Sequence, residues 1–274
     1  MAKMKLLFIT HEMSPFLELT SIAEITRKLP QAMQEKGVEI RILMPRFGNI
    51  NERRNRLHEV IRLSGLNITI DDNDNPLIIK VASIPAARMQ VYFLDNEEYF
   101  QRKFVFRDKD NKFYADNDER TIFFCKGALE TVKKLGWSPD IIHCHGWMSA
   151  LVPTYLKTIY KDDPTYKNSR AIYSVYESGF NETLGTKFAT KAIMNGMTSE
   201  NTQLFAPADI TSLHKGAISY SDGLVYGSGN IDSEVAAFAK KSNKPLMEYT
   251  ASLDFENYYA LYEEVMNEEL ASIA

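Results

Sequence analysis

Two short apolar runs bracket a helix pattern within the first 45 residues. Each run, Lys5–Thr10 and Val38–Met44, has the length of a strand and falls far short of the ~20 apolar residues of a membrane-spanning helix. Between them, apolar residues recur at helical spacing until Gly37, a residue type that commonly ends a helix. Strand, helix and strand in this order predict a βαβ unit, which implies a parallel sheet with a right-handed crossover.

The same alternation continues along the rest of the chain. Three strand patterns come first, and the segment Asp71–Pro76 between two of them has the composition of a turn. Helix patterns then alternate with strand patterns, so we predict a doubly wound α/β fold with a mainly parallel sheet. The predicted strands are Leu66–Ile70, Leu77–Ile84, Gln90–Leu94, Pro139–His143, Arg170–Val175 and Gly223–Tyr226, and the predicted helices are Arg120–Lys134, Trp147–Tyr160, Ile210–Tyr220 and Asp232–Lys241.

Composition argues against several kinds of partner. The chain of 274 residues carries 32 basic and 36 acidic side chains, so no domain-wide positive field is present for nucleic acid. No apolar run approaches the length that spans a membrane. Two cysteines cannot form a disulfide framework and are typical of a reducing compartment. We therefore expect a cytoplasmic protein with neither a membrane nor a nucleic-acid partner.

Polar side chains follow the predicted strands at the edge where ligands bind in such sheets. The densest group is His143, Cys144 and His145, for which three interpretations stand. The group could ligate zinc, although adjacent positions suit one tetrahedral ion poorly. The strand end could instead turn one histidine inward and one outward, or His145 could donate a hydrogen bond in a sugar or phosphate pocket. The other candidates are His11, Glu12 and Glu18 in the first loop, Trp147 after the histidines, and Tyr176, Glu177 and Ser178 after the strand that ends at Val175.

Motifs for several common reaction classes are missing from the sequence. No G-x-G-x-x-G follows the first strand and no phosphate-binding P-loop occurs, which disfavours a dinucleotide or nucleoside-triphosphate site. No G-x-S-x-G turn is present, so serine hydrolysis lacks its usual nucleophile. We therefore expect neither a cofactor nor a metal.

Five stretches of the chain, in the same order, resemble motifs of the glycogen/starch synthase family. The resemblance runs from about residue 4 to residue 238. The matching stretches are Phe8–Pro15 against F-x-x-x-E-x-x-P, Leu29–Pro45 against L-P-x-A-L-x-x-x-G-H-x-V-x-V-x-x-P, Tyr114–Arg120 against Y-x-D-N-x-x-R, Gly136–Trp147 against G-W-x-P-D-I-[IV]-H-x-H-D-W, and Lys215–Asp222 against K-A-G-[IL]-x-Y-A-D.

That resemblance implies the N-terminal half of a glycosyltransferase built from two Rossmann-like domains. The family transfers glucose from ADP-glucose to the non-reducing end of an α-1,4-glucan. Its N-terminal half mainly holds the acceptor, and its other half mainly holds the donor. The resemblance thus implies that residues 1–250 form a Rossmann-like domain without the donor-binding domain, and that an α-glucan is the partner. By position in the motifs, Asp116 and His145 match catalytic residues, and Lys215 matches a binding residue.

Residues 251–274 have the pattern of an amphipathic helix that Asp254 is placed to cap. This segment is similar to the closing helix of the family, which crosses back and packs on the N-terminal half. The alternative is an unrelated amphipathic helix. Under either interpretation, the apolar side of the predicted helix consists of Phe255, Tyr258, Tyr259, Tyr262, Val265, Met266 and Leu270.

The chain departs from the family at the loop after the first strand. Where the family has K-x-G-G-L, residues 18–22 read E-L-T-S-I, so a carboxylate replaces the phosphate-facing lysine and side chains replace two glycines. We expect weak or absent ADP-glucose binding for that reason. Two other motifs also change, since H-D-W-H reads His145–Met148 and T-x-H-N reads Ser174–Glu177. We assign substrate contacts to Glu12, Glu18, Thr20, Ser21, Trp147, Tyr176, Glu177 and Lys215.

The resemblance as a whole implies a protein of α-1,4-glucan biosynthesis that binds an α-glucan acceptor. We expect no glucosyl transfer by the chain alone, because half a cleft cannot arrange charges around the diphosphate of the donor. A separate chain supplying the donor-binding half is one way to complete the site. The alternative is a catalytically inactive module that binds glucan or regulates a partner enzyme. Two roles stay open for Asp116, a sugar contact or, with Asn117, the N-cap of the next helix.

Overall fold

The computed structural model describes residues 3–84, 87, 89–177 and 179–272, with side chains described up to residue 267. Ser178 and the side chain of Leu270, both named among the sequence predictions, lie outside this description. No helix in the described ranges is both long and apolar enough to cross a membrane.

One sheet of ten strands forms the centre of the molecule. Six neighbouring pairs are parallel, and the three pairs that involve β5 are antiparallel. The order is β10-β9-β8-β7-β1-β2-β6-β5-β3, with β4 also paired to β5. The predicted mainly parallel α/β fold is therefore confirmed. The strands are β1 Lys5–Thr10, β2 Glu39–Pro45, β3 His58–Glu59, β4 Leu66–Ile70, β5 Asn73–Ile84, β6 Met89–Asp95, β7 Ile141–His145, β8 Arg170–Val175, β9 Gly223–Tyr226 and β10 Leu246–Met247.

Helices connect the parallel strands. The longest of them, α4, ends at Gly136, whose positive φ of 64° suits glycine at a helix C-terminus. The α-helices are α1 Ile22–Glu35, α2 Glu52–Asn55, α3 Glu97–Phe100, α4 Asn117–Leu135, α5 Leu151–Lys157, α6 Phe188–Lys191, α7 Ser199–Thr202, α8 Ile210–Tyr220, α9 Ser233–Lys241 and α10 Phe255–Ser272, and two 3₁₀ turns cover Trp147–Ser149 and Gln203–Phe205.

Three predicted elements clearly have the wrong extent. The strand predicted at Pro139–His143 is β7 Ile141–His145, so it starts and ends two residues later. The predicted helix Trp147–Tyr160 is a 3₁₀ turn followed by α5, because the amides of Ser149 and Ala150 donate to carbonyls three residues earlier. The predicted turn Asp71–Pro76 is wrong beyond its first two residues. Asp71 and Asp72 have positive φ values of 49° and 62°, as in a two-residue hairpin, and the following residues already pair in β5.

The middle strands place the core. Leu6, Leu7, Phe8 and Ile9 of β1 are all fully buried, as expected for a parallel strand covered by helices on both faces. Because β1, β7 and β8 are parallel neighbours, their carboxyl ends lie at the same edge of the sheet, and the candidate site lies at that edge.

The last helix packs against the N-terminal part of the chain. Asp254 caps α10 by accepting from the amides of Glu256 and Asn257, as the sequence predicts. Helix α10 contacts α1 and β10. Lys36, just after α1, donates to the Glu256 carboxylate at 2.6 and 2.7 Å. The side chains buried by this packing are those of Tyr258, Leu261, Tyr262 and Val265.

Candidate functional site

A cavity of about 880 Å³ opens at the carboxyl edge of the sheet. It lies beside the ends of β1 and β8, and the segment 103–111 forms its outer wall. The lining mixes aromatic, hydroxyl, amide and basic side chains. It includes His11, Thr20, Ser21, Asn49, Lys103, Phe104, Phe106, Arg107, Asn111, Trp147, Tyr176, Glu177, His214 and Ser228.

Glu12 holds the first loop in place from beneath. One of its carboxylate oxygens accepts from the amides of Leu19 and Thr20 at 2.6 and 2.8 Å, and the other accepts from the Thr20 hydroxyl at 2.5 Å. Burial raises the pKa of Glu12, but hydrogen bonds and charge from His11 and the bonds from Thr20 outweigh burial, so the pKa lies below its usual value. Glu12 is fully buried and does not line the cavity, because its carboxylate is already used within the loop.

The remainder of that loop offers little to a phosphate group. Glu18 points to the exposed side, where its carboxylate accepts from the Ser14 hydroxyl at 2.6 Å, and it does not line the cavity. Thr20 and Ser21 do line it. The amides of Leu19 and Thr20, which could otherwise bind an anion, already donate to a carboxylate.

A buried chain of hydrogen bonds connects α10 with the cavity floor. The Tyr262 hydroxyl lies 2.7 Å from Nδ1 of His143, and Nε2 of His143 lies 2.7 Å from the Ser174 hydroxyl. Burial raises the pKa of Tyr176 well above its usual value, and the neighbouring Ser174 hydroxyl lowers that pKa in part. The Tyr176 hydroxyl lies 2.8 Å from Nδ1 of His145. All five side chains are buried, and only Tyr176 reaches the cavity lining.

Two directions of donation are compatible with the bonds of this chain. If Tyr262 donates to His143, each following hydroxyl or imidazole can donate onward, and every bond has one donor and one acceptor. The last bond is then Tyr176 donating to Nδ1 of His145, which leaves the proton of His145 on Nε2. In the reverse direction the His145 proton is on Nδ1 and the Tyr262 hydroxyl proton is left over. Each direction therefore leaves one buried proton without an acceptor among the described residues, on Nε2 of His145 or on Tyr262.

His145 consequently lies under the cavity floor and not in its lining. Its Nδ1 is bonded to Tyr176, and burial lowers its pKa to about 3, so the ring is neutral at pH 7. His143 is equally buried, and both of its nitrogens have partners. Within the described ranges, no group of three histidine, cysteine, aspartate or glutamate side chains is placed to hold a metal ion.

Asp116 is paired with an arginine. Its two carboxylate oxygens accept from the Arg102 guanidinium at 2.8 and 2.5 Å. Asp116 occupies the N-cap position of α4 but makes no side-chain cap bond, and Asn117 accepts from Arg120 instead. The N-cap interpretation is therefore wrong for both residues, because arginine side chains take the oxygens that would cap. Asp116 does not line the cavity.

Lys215 lies on α8 and points away from the cavity. Its ammonium group pairs with the Glu234 carboxylate of α9 and lies 5.9 Å from the centre of the Phe238 ring. Of the eight residues assigned substrate contacts from the sequence, the structure brings together five in the cavity lining. They are Thr20, Ser21, Trp147, Tyr176 and Glu177.

Two histidines of the lining are not among the substrate contacts assigned from the sequence, although His11 was one of the candidates in the first loop. His11 follows β1, and His214 lies on α8, and both are almost completely buried. Burial lowers the pKa of His214 to about 4. His11 lies in the loop after the first predicted strand, where ligands bind in such sheets. His214 is a single histidine within a helix, and no sequence pattern marks that position as part of a site.

Comparison with known proteins gives the family. A family model described as the starch synthase catalytic domain matches residues 5–245. The glycogen synthase of Chlorobium luteolum is 41% identical over 179 residues, which cover 64% of this chain and 36% of that protein. The glycogen synthase of Chlorobaculum parvum is 35% identical over 246 residues, which cover 87% of this chain and 48% of that protein. This chain thus spans less than half the length of these two relatives.

A solved structure has the same fold. The catalytic domain of starch synthase IV from Arabidopsis thaliana, bound to ADP and acarbose, matches with a TM-score of 0.73 at 19% identity, covering 94% of this chain and 53% of that chain. At that identity the likeness shows the fold alone. The match of the family model to residues 5–245 carries the assignment, and the predicted resemblance is confirmed: the chain belongs to the starch synthase catalytic-domain family.

Proposed function

We propose that this chain binds the α-glucan acceptor in α-1,4-glucan biosynthesis, with the saccharide in the cavity at the carboxyl edge of the sheet. The observation that carries the proposal is the cavity itself, about 880 Å³ in volume and placed at the ligand-binding edge of a starch synthase fold. Within the proposal, residues 1–250 form the glucan-binding domain, and residues 251–274 are a helix that stabilises it.

The chemistry of the lining suits a neutral sugar. A pyranose ring has apolar C–H faces and polar hydroxyl edges, and the cavity offers partners for both. Phe104, which is 41% exposed, and Trp147 supply aromatic surface, while hydroxyl, amide and carboxylate groups supply hydrogen bonds. These groups belong to Thr20, Ser21, Asn49, Asn111, Glu177 and Ser228, and the lining also contains Lys103, Arg107, Asp108 and Lys109.

The donor is proposed to bind elsewhere. Glucosyl transfer requires positive charge or amide donors around the departing diphosphate. Here the amides of Leu19 and Thr20 serve Glu12, and the carboxylate of Glu18 adds a negative charge to the same loop. We propose that a separate chain supplies the donor-binding groups.

The motif residues also argue for a dependence on such a partner. His145 is covered by Tyr176, and the charge of Asp116 is balanced by Arg102. Neither group reaches the cavity as the chain stands. We propose that the chain alone holds the acceptor, and that transfer occurs only with the donor-binding chain present.

Calorimetric titration with maltoheptaose and with ADP-glucose tests this proposal. We expect maltoheptaose to bind, and ADP-glucose to give no saturable heat at millimolar concentration. Phe104→Ala should weaken maltoheptaose binding by roughly fivefold, because it removes aromatic surface from the cavity wall. The matched control is Tyr249→Ala, which removes an equally exposed aromatic ring that does not line this cavity.

Two outcomes would reject the proposal. One is micromolar binding of ADP-glucose to the unmodified chain. The other is equal weakening of maltoheptaose binding by Phe104→Ala and Tyr249→Ala, because the sugar would then lie outside the cavity.

A further inference from the structure

We infer that His11 and His214, and not the histidines of the H-x-H motif, present the ring nitrogens that hydrogen-bond the saccharide. The inference rests on the proposed function and adds to it the two residues that select a hydroxyl-rich ligand. Nothing in the family motifs of the sequence points to either position.

Both rings are buried at the wall of the same cavity with one nitrogen unused. His11 is 3% exposed and His214 is 4% exposed, and both line the cavity. Nδ1 of His11 and Nε2 of His214 have no hydrogen-bond partner among the described residues. A buried polar atom left without a partner destabilises the fold, so a folded chain ordinarily supplies it with water or a ligand.

Tyr173 determines the proton position on His214. The Tyr173 hydroxyl lies 2.9 Å from Nδ1 of His214, and no other acceptor for it occurs among the described residues. A buried hydroxyl donates where it has one acceptor, so Nδ1 accepts and the ring proton stays on Nε2. His214 therefore carries an N–H donor that has no partner among the described residues, on a ring that lines the cavity.

Glu12 determines the proton position on His11. Nε2 of His11 lies 3.5 Å from the Glu12 carboxylate, which in its ionised form can only accept. When the ring carries one proton, that proton is therefore on Nε2, and Nδ1 is a free acceptor. Gly146 makes room for this ring, since a Cβ at that position would lie 2.9 Å from Cε1 of His11.

One donor and one acceptor at the wall select for hydroxyl groups. A sugar hydroxyl both donates and accepts, so a saccharide can satisfy the two nitrogens at once. A phosphate dianion can only accept hydrogen bonds, so its oxygens would face the lone pair on Nδ1 of His11. The negatively charged Glu12 carboxylate, on the other nitrogen of that ring, would also repel it. The motif histidines compete poorly for this role, because three of their four ring nitrogens are bonded within the chain and neither ring lines the cavity.

Nitrogen-15 NMR of the histidine rings tests the inference on the unmodified protein. The chain has five histidines, of which His58 is exposed on β3 and serves as the internal control. On saturation with maltoheptaose, we expect the Nδ1 signal of His11 and the Nε2 signal of His214 to shift. The signals of His58 and His143 should stay where they are.

Variants give an independent reading. His11→Ala should weaken maltoheptaose binding by roughly tenfold, the equivalent of one hydrogen bond, and His58→Ala should leave it unchanged. If maltoheptaose binds and shifts neither the His11 nor the His214 signals, the inference is wrong while the proposed function stands. If maltoheptaose does not bind at all, the proposed function is wrong, and the inference fails with it.

Discussion

Lowering the pH from 7 to 5 is expected to remove about 5 kcal/mol from the free energy of unfolding. Burial lowers the pKa of His145 to about 3 and that of His214 to about 4, and it lowers the pKa of His143 well below its ordinary value. In the unfolded chain all three rings titrate near pH 6.5. Between pH 7 and pH 5 the unfolded chain therefore binds protons that the folded chain does not, worth up to about 2 kcal/mol for each ring.

The sign follows from the direction of the pKa shifts. Because these folded pKa values lie below the unfolded ones, the contribution to stability is complete above about pH 6.5 and is lost as the pH falls toward the folded values. Glu12 acts in the same direction at lower pH, since its folded pKa is lowered. Asp118, whose pKa burial raises, acts in the opposite direction.

Urea unfolding at pH 7, 6 and 5 measures this loss. The matched control is His58→Gln, which removes an exposed histidine and should leave the slope of stability against pH unchanged. An unfolding free energy that is the same at pH 5 and pH 7 would show that the three buried rings are not held neutral by the fold.

Tyr262→Ala is expected to lower the free energy of unfolding by about 3–5 kcal/mol, as for other large aromatic residues truncated in a core. Tyr262 is completely buried between α10 and the sheet, and its hydroxyl lies 2.7 Å from Nδ1 of His143. The substitution removes the packing of the ring and leaves a buried imidazole nitrogen without its partner.

Two controls separate packing from hydrogen bonding. Tyr262→Phe keeps the ring and should lower stability by only about 1 kcal/mol. Glu263→Ala changes an exposed neighbour on the same helix and should stay within about 0.5 kcal/mol of the original protein. If Tyr262→Ala has the same melting temperature as the unmodified protein, α10 does not contribute to the stability of the domain that contains the cavity.

The sequence predicts the parts of the fold that long apolar runs encode. Strands β1, β4, β8 and β9 and helix α8 have the predicted bounds, because each is a continuous or regularly spaced apolar segment between turn residues. The elements that were missed are short. The two-residue strands β3 and β10 and the four-residue helices α2, α3, α6 and α7 contain too few residues for any periodicity to show.

The site was harder to predict because its residues are already bonded to distant parts of the chain. Trp147 and Tyr176 follow predicted strands, and they were correctly predicted to lie at the ligand-binding edge of the sheet. His145 is instead covered by Tyr176, 31 positions after it, and Asp116 forms an ion pair with Arg102, 14 positions before it. Such pairings depend on the tertiary arrangement, which no local pattern in the sequence contains. The unused nitrogen of His214 likewise becomes visible only once Tyr173 is placed beside it.

A crystal structure of the protein with maltoheptaose tests the account most directly. We expect glucose units in the cavity at the carboxyl edge of the sheet, against Phe104 and Trp147, with hydroxyl groups within 3.2 Å of Nδ1 of His11 and Nε2 of His214, which is roughly the upper limit of an N–O hydrogen bond. Saccharide bound on any other face, with this cavity empty at a concentration that saturates binding in solution, would contradict it.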